Sequence, residues 1–94
     1  YTCILANKAG EPADYTATIA GKCCESGDLI QEHTLIQKPE EGDILAVLST
    51  GAYNYSMASN YNRNLKPAVV MVSHGKSRIV VKGETYEDLV RNDV

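Results

Sequence analysis

Two runs of five apolar residues, Ile44-Leu45-Ala46-Val47-Leu48 and Ala68-Val69-Val70-Met71-Val72, limit the architectures open to this chain. Each is partly β-branched, bounded by turn residues and too short for a comfortable helix, so each is expected to form a strand buried on both faces. Tyr15 to Ala20 has a different pattern. Tyr15, Ala17 and Ile19 alternate with Thr16, Thr18 and Ala20, which predicts a strand with one buried face. All 6 tyrosines stand alone as aromatics, with no Phe or Trp, so the core must rest on Val, Ile and Leu. The large rings carry polar tips that need partners or water.

The connections carry equally readable chemistry. Pro39-Glu40-Glu41-Gly42 is a turn into the first apolar run, since proline presets its own φ and glycine tolerates the exit. The second run ends at Ser73-His74-Gly75-Lys76, where His-Gly can supply the positive φ values of a tight hairpin, and Ser77 to Lys82 then pairs back antiparallel. Thr85 is a capping hydroxyl, Glu87 and Asp88 are first-turn acids and Arg91 is a last-turn base, which predicts a short helix over 85–91. Tyr53 to Asn62 is rich in Tyr, Asn and Ser and poor in aliphatic residues, so it reads as a loop or a single helical turn. The fold expected is mainly β: a small β-barrel or sandwich with one or two short helices, in one domain over residues 1–94.

At 94 residues the chain is long enough for one compact domain. Nine basic and 12 acidic residues give a net charge of −3 without any lysine or arginine run, so no nucleic-acid partner is expected. No apolar stretch approaches the roughly 18 residues of a membrane helix, and the start lacks signal-peptide features. A soluble, cytoplasmic chain without membrane association is expected. Its first residue is not Met and the opening segment reads as structured, which suggests a piece of something larger. Three cysteines are an odd number, and the adjacent Cys23 and Cys24 are awkward to bridge, so reduced thiols are expected.

Gly21-Lys22-Cys23-Cys24-Glu25-Ser26-Gly27-Asp28 is the segment richest in reactive groups. It follows a strand and sets two thiols, two carboxylates and a hydroxyl on a glycine-flanked turn. On residue types alone it reads either as inert, half-buried thiols among turn formers or as a functional turn. Zinc sites need spaced ligands, and His33 and His74 are isolated in loop-like contexts, so no metal is expected. Nor does any histidine nominate itself as the partner of a cysteine nucleophile.

Cys24-Glu25-Ser26-Gly27-Asp28, Glu41-Gly42-Asp43, Gly51-Ala52-Tyr53, Ser56-Met57, Ser59-Asn60-Tyr61-Asn62, Pro67-Ala68 and Glu84-Thr85-Tyr86-Glu87-Asp88-Leu89 form an ordered series. This series resembles the C-terminal β-domain of the diaminopimelate decarboxylase family, within the alanine-racemase-like pyridoxal phosphate decarboxylases. The resemblance implies a carboxy-lyase that converts meso-2,6-diaminopimelate to L-lysine and CO2, the last step of lysine biosynthesis. A (β/α)8 barrel outside this chain would hold pyridoxal 5'-phosphate and the lysine that carries it, and the isolated chain would be inactive. It implies a homodimer with active sites shared between protomers, so that Cys24 and Glu25 act in the partner's site. Cys24 resembles the residue that returns a proton to the substrate's α-carbon, and a thiol suits that role because it holds its proton at neutral pH yet can release it. Glu25 resembles the carboxylate that grips the distal ammonium of the substrate, and Tyr53 the tyrosine that meets the cofactor phosphate and lies beside the substrate. Gly27 and Asp28 are assigned to the turn, and Ser26 either to the turn or to a minor polar contact near the substrate. The sequence departs from the family at Lys22, where proline is frequent, and at Lys66, which replaces an arginine. Two other readings remain: a related ornithine- or arginine-type decarboxylase, whose members tend to carry a shorter aspartate at the position of Glu25, and a non-catalytic β association module.

Overall fold

The computed structural model describes residues 1–94 and divides into two compact units, Tyr1–Gly51 and Ala52–Val94. In the first unit β1 (Thr2–Leu5) pairs antiparallel with β4 (Leu45–Leu48), and β2 (Tyr15–Ala20) with β3 (Leu29–Ile36). Cys3 and Leu5 of β1, Ile19 of β2 and Ile36 of β3 are buried together, with Ala17, Ile30 and Val47 packed against them. The core therefore lies between the two ribbons and is aliphatic, as the lack of Phe and Trp requires. β2 has the bounds expected of it, and Ala17 and Ile19 face the core while Thr16, Thr18 and Ala20 are exposed.

Two irregularities shape the β2–β3 ribbon. Ala17 opposes Thr34 and Ile19 opposes Gln31, so Glu32 and His33 together face Thr18; a second shift separates Ile19/Gln31 from Ala20/Leu29. His33 takes φ 49 at the first of these bulges. It lies inside a strand, not in the loop that sequence context suggested, although it is exposed as expected. Bulges of this kind bend the ribbon and sharpen its twist next to the turn it carries.

At the other end of that ribbon a buried amide closes the unit. Gln37 is 4% exposed; its Oε1 accepts the Leu5 N–H at 2.9 Å and its Nε2 donates to the Glu11 carbonyl at 3.5 Å. Nearby, the turn Glu40–Asp43 has Gly42 at φ 94 and an Asp43 N–H to Glu40 carbonyl bond of 3.1 Å, as the Pro-Glu-Glu-Gly sequence predicts. The Asp43 carboxylate accepts from Asn7 Nδ2, Lys8 Nζ and the Glu40 N–H, each at 2.8 Å, while Asn7 Oδ1 accepts the Ile44 N–H. These bonds, led by the one from Lys8, lower the Asp43 pKa from its ordinary 3.8 to about 2, and the same contact raises that of Lys8.

The second unit contains α1 (Gly51–Met57, beginning at the boundary), a 3-10 turn at Tyr61–Arg63, the hairpin β5 (Val69–Ser73) and β6 (Lys76–Val81), and α2 (Tyr86–Val90). His74 at φ 51 and Gly75 at φ 72 make the expected two-residue hairpin turn, with Ser73 opposite Lys76. α2 carries a full capping box: Asp88 N–H donates to Thr85 Oγ1 while Thr85 N–H donates to Asp88 Oδ2. α1 is a two-turn helix where a loop or single turn was expected; Ser56 Oγ donates to the carbonyls of Ala52 and Tyr53, and the Ala58 N–H closes onto Asn54. Glu84 ties this unit together. Its Oε1 accepts from the Lys66 N–H and Asn60 Nδ2, and these bonds, the backbone one foremost, lower its pKa.

The expectation that the two apolar runs form strands holds, but not that both faces are buried. Leu45 and Leu48 of β4 remain about two-fifths exposed, and Val72 of β5 is 73% exposed. Leu48 lies on the face of the β1–β4 ribbon opposite Cys3, Leu5 and Val47, whereas Leu45, paired with Leu5, is on the core face at the end of the strand and only part-covered; the β5–β6 ribbon is the sole sheet of its unit.

Replacing Gln37 with Ala orphans the buried Leu5 N–H, and urea unfolding should register a loss of about 1–3 kcal/mol. Because the fold holds Asp43 ionised below its ordinary range, the stabilisation it brings is complete above pH about 4 and disappears as pH falls to about 2. The melting-temperature gap between wild type and Asp43→Asn should close across that window, as thermal unfolding monitored by circular dichroism would reveal.

Candidate functional site

The β2–β3 connection is built from residues whose side chains compete with the backbone for hydrogen bonds, which favours turns over continued strand. Asp28 organises it. Its carbonyl accepts the Gly21 N–H at 2.9 Å, its own N–H donates to the Glu25 carbonyl at 3.0 Å, and its Oδ2 accepts the Cys23 N–H at 2.9 Å. Cys24 and Glu25 are brought together at the exposed crest of this turn, while Cys23 is half-buried and Cys3 lies in the core. None of the three cysteines is in a disulfide. Half-burial, expected of the two adjacent thiols on residue type, holds for Cys23 but not for Cys24.

Ser26 and Gly27 form the turn proper, the place assigned to Gly27 from sequence. The role of Asp28 is larger than residue type alone suggests: its side chain reaches back five positions, and an acid at the end of a glycine-flanked loop is the signal that points to it. Tyr53 lies on α1 of the second unit, 68% exposed, with its carbonyl accepting from Ser56 Oγ at 3.0 Å. The Ser59–Asn62 stretch contributes structural bonds: Asn60 Nδ2 donates to the Asn64 carbonyl at 2.9 Å and to Glu84 Oε1 at 2.7 Å. That link spans 24 positions, and nothing in the local sequence announces it.

An exposed thiol beside an exposed carboxylate can offer a proton and bind a cation. It cannot by itself hold a large anionic cofactor. Lys8 is committed to Asp43 and the Lys38 carbonyl, Lys66 sits 3.8 Å from Glu84, and Lys22, Lys38, Lys76 and Lys82 stand exposed. Lysines that are exposed or committed to carboxylates do not make the pocket that anchors such a group. No group of three or more His, Cys, Asp or Glu side chains is arranged to hold a metal ion, and no helix is long and apolar enough to cross a membrane.

A sequence model of the pyridoxal-dependent decarboxylase C-terminal sheet domain matches residues 1–51, more than half of the chain. The chain belongs to that family. It is homologous over its whole length to diaminopimelate decarboxylases: 54% identical over 94 residues to that of Bacillus subtilis (strain 168) and 47% over 93 residues to that of a Synechocystis strain. It spans 21% and 20% of those relatives, about a fifth of their length. The fold agrees. A crystal structure of diaminopimelate decarboxylase from M. jannaschii in co-complex with L-lysine superposes with a TM-score of 0.85 at 33% identity, covering 100% of this chain and 21% of that one.

Exposure orders the thiols. Brief treatment with iodoacetamide should alkylate Cys24 first, Cys23 more slowly and Cys3 only on unfolding, as peptide mass spectrometry would report; equal rates at all three would contradict the burial described above.

Proposed function

We propose that residues 1–94 are the C-terminal β-domain of a diaminopimelate decarboxylase that converts meso-2,6-diaminopimelate to L-lysine and CO2. The full-length enzyme works in the cytoplasm as a homodimer, with the cofactor-anchoring lysine outside this chain. Pyridoxal phosphate, when bound, draws off the electron pair that the departing carboxyl group leaves behind. Cys24 returns a proton from its Sγ to the α-carbon, and its thiolate recovers one from solvent. The Glu25 carboxylate accepts hydrogen bonds from the substrate's distal ammonium. A carboxylate buried there without its cation would be costly, which turns binding into selection for a second amino group. Both residues serve the partner's site, while the Tyr53 hydroxyl meets the cofactor phosphate of its own protomer.

The observation that carries this reading is the 54% identity to a diaminopimelate decarboxylase along the whole chain, together with a thiol and a carboxylate at the crest of a braced, exposed turn. An exposed pair of this kind suits a neighbour's site better than one enclosed by its own domain.

Mixed dimers test the shared site. In the full-length enzyme, Cys24→Ala and replacement of the cofactor-binding lysine should each abolish turnover alone. Mixed subunits should recover about a quarter of wild-type activity, because half of the dimers hold one intact site of two. No recovery in dimers shown by mass spectrometry to be mixed would exclude the sharing.

A further inference from the structure

Gly21 and Gly27 bound the turn that carries Cys24 and Glu25, and neither has the positive φ that makes glycine a conformational requirement. A Cβ at residue 21 would overlap the Asp28 carboxylate, which its bond to the Cys23 N–H holds in place. One at residue 27 would meet only the end of the exposed Glu25 side chain, which can turn aside. The Asp28 carboxylate holds the Cys23 N–H immediately before Cys24, and the backbone of the same residue holds the Glu25 carbonyl immediately after it. Cys24 is thus clamped on both sides by one residue, which can lie where it does only because position 21 has no side chain.

We propose that Gly21 and Asp28 are positioning residues for Cys24, the glycine leaving the space in which the Asp28 carboxylate must lie for the turn to keep its working pose. The inference rests on the role given above to Cys24. A proton donor must face one side of the α-carbon. Releasing the Cys23 N–H lets the thiol swing, so that delivery slows and solvent protonates the carbon from either face.

The test uses the full-length decarboxylase turning over meso-2,6-diaminopimelate in D2O, with kcat, KM and the stereochemical purity of the deuterium at the decarboxylated carbon as readouts. Gly21→Ala and Asp28→Ala should lower kcat about tenfold, the scale of one lost hydrogen bond, and scramble the label between the two faces. A merely less stable protein would keep a single-faced label. Asp28→Asn keeps an oxygen acceptor for the Cys23 N–H and should restore the single-faced label. Folded Gly21→Ala and Asp28→Ala enzymes with wild-type kcat and a single-faced label would overturn the proposal. If Gly21→Ala does not fold, Asp28→Ala decides, because it removes the carboxylate without crowding anything. Cys24→Ala separates the two layers of the argument. An inactive Cys24→Ala enzyme beside an Asp28→Ala enzyme with wild-type kcat and a single-faced label defeats the positioning role alone, whereas a fully active Cys24→Ala enzyme defeats the assignment of the proton donor and this inference with it.

Discussion

The side-chain amide of Gln37 is the contact on which the first unit turns. It sits at the end of β3 and satisfies the N–H of Leu5 at the end of β1, so that the two ribbons are joined by a directional bond as well as by a thin aliphatic core. Four buried apolar residues supply little margin, and an unsatisfied amide in their midst would consume a large part of it. The acid–amide–lysine network around Asp43 reinforces the same end from the exposed side, tying Asn7 and Lys8 to the turn that leads into β4.

This anchoring determines where the candidate site stands. The β2–β3 ribbon is held at its Tyr15/Ile36 end, next to Gln37, and projects its Ala20/Leu29 end away from the brace. The turn from Gly21 to Asp28 is carried at that projecting end, twisted by two bulges and closed by three bonds to Asp28. A rigid support with a reactive crest is what an arm reaching into a neighbouring site requires, since its thiol and carboxylate must be ordered before a partner surrounds them.

Legibility from sequence differed by element. Strand β2, the His-Gly hairpin and the Thr85 cap were readable because each depends on neighbours within a few positions: alternation, a left-handed dipeptide, a hydroxyl three residues before an acid. The burial of the two apolar runs was not readable. Composition says that Val72 prefers to be covered, but a sheet face is covered only where another layer packs on it, and the β5–β6 ribbon has no second sheet in its unit. The bulge at His33 and the helix over Gly51–Met57 also depend on partners that local pattern does not specify. Of the candidate site, Cys24 and Glu25 stood out as adjacent reactive groups between glycines, while the bracing by Asp28 required the turn in three dimensions.

The sequence alone determined the alphabet of this protein: aliphatic strands, tyrosines at the surface, a glycine-bounded turn bearing thiol and acid, and a kinship legible in ordered motifs. These follow from covalent proximity, because propensities and turn chemistry act over a handful of residues. Only the tertiary structure decided that Gln37 is buried, that the Asp43 pKa is lowered to about 2, and that Gly21 is vacant to admit Asp28. Those outcomes depend on which distant groups share a space, and neither burial nor hydrogen-bond satisfaction exists until the chain has closed on itself.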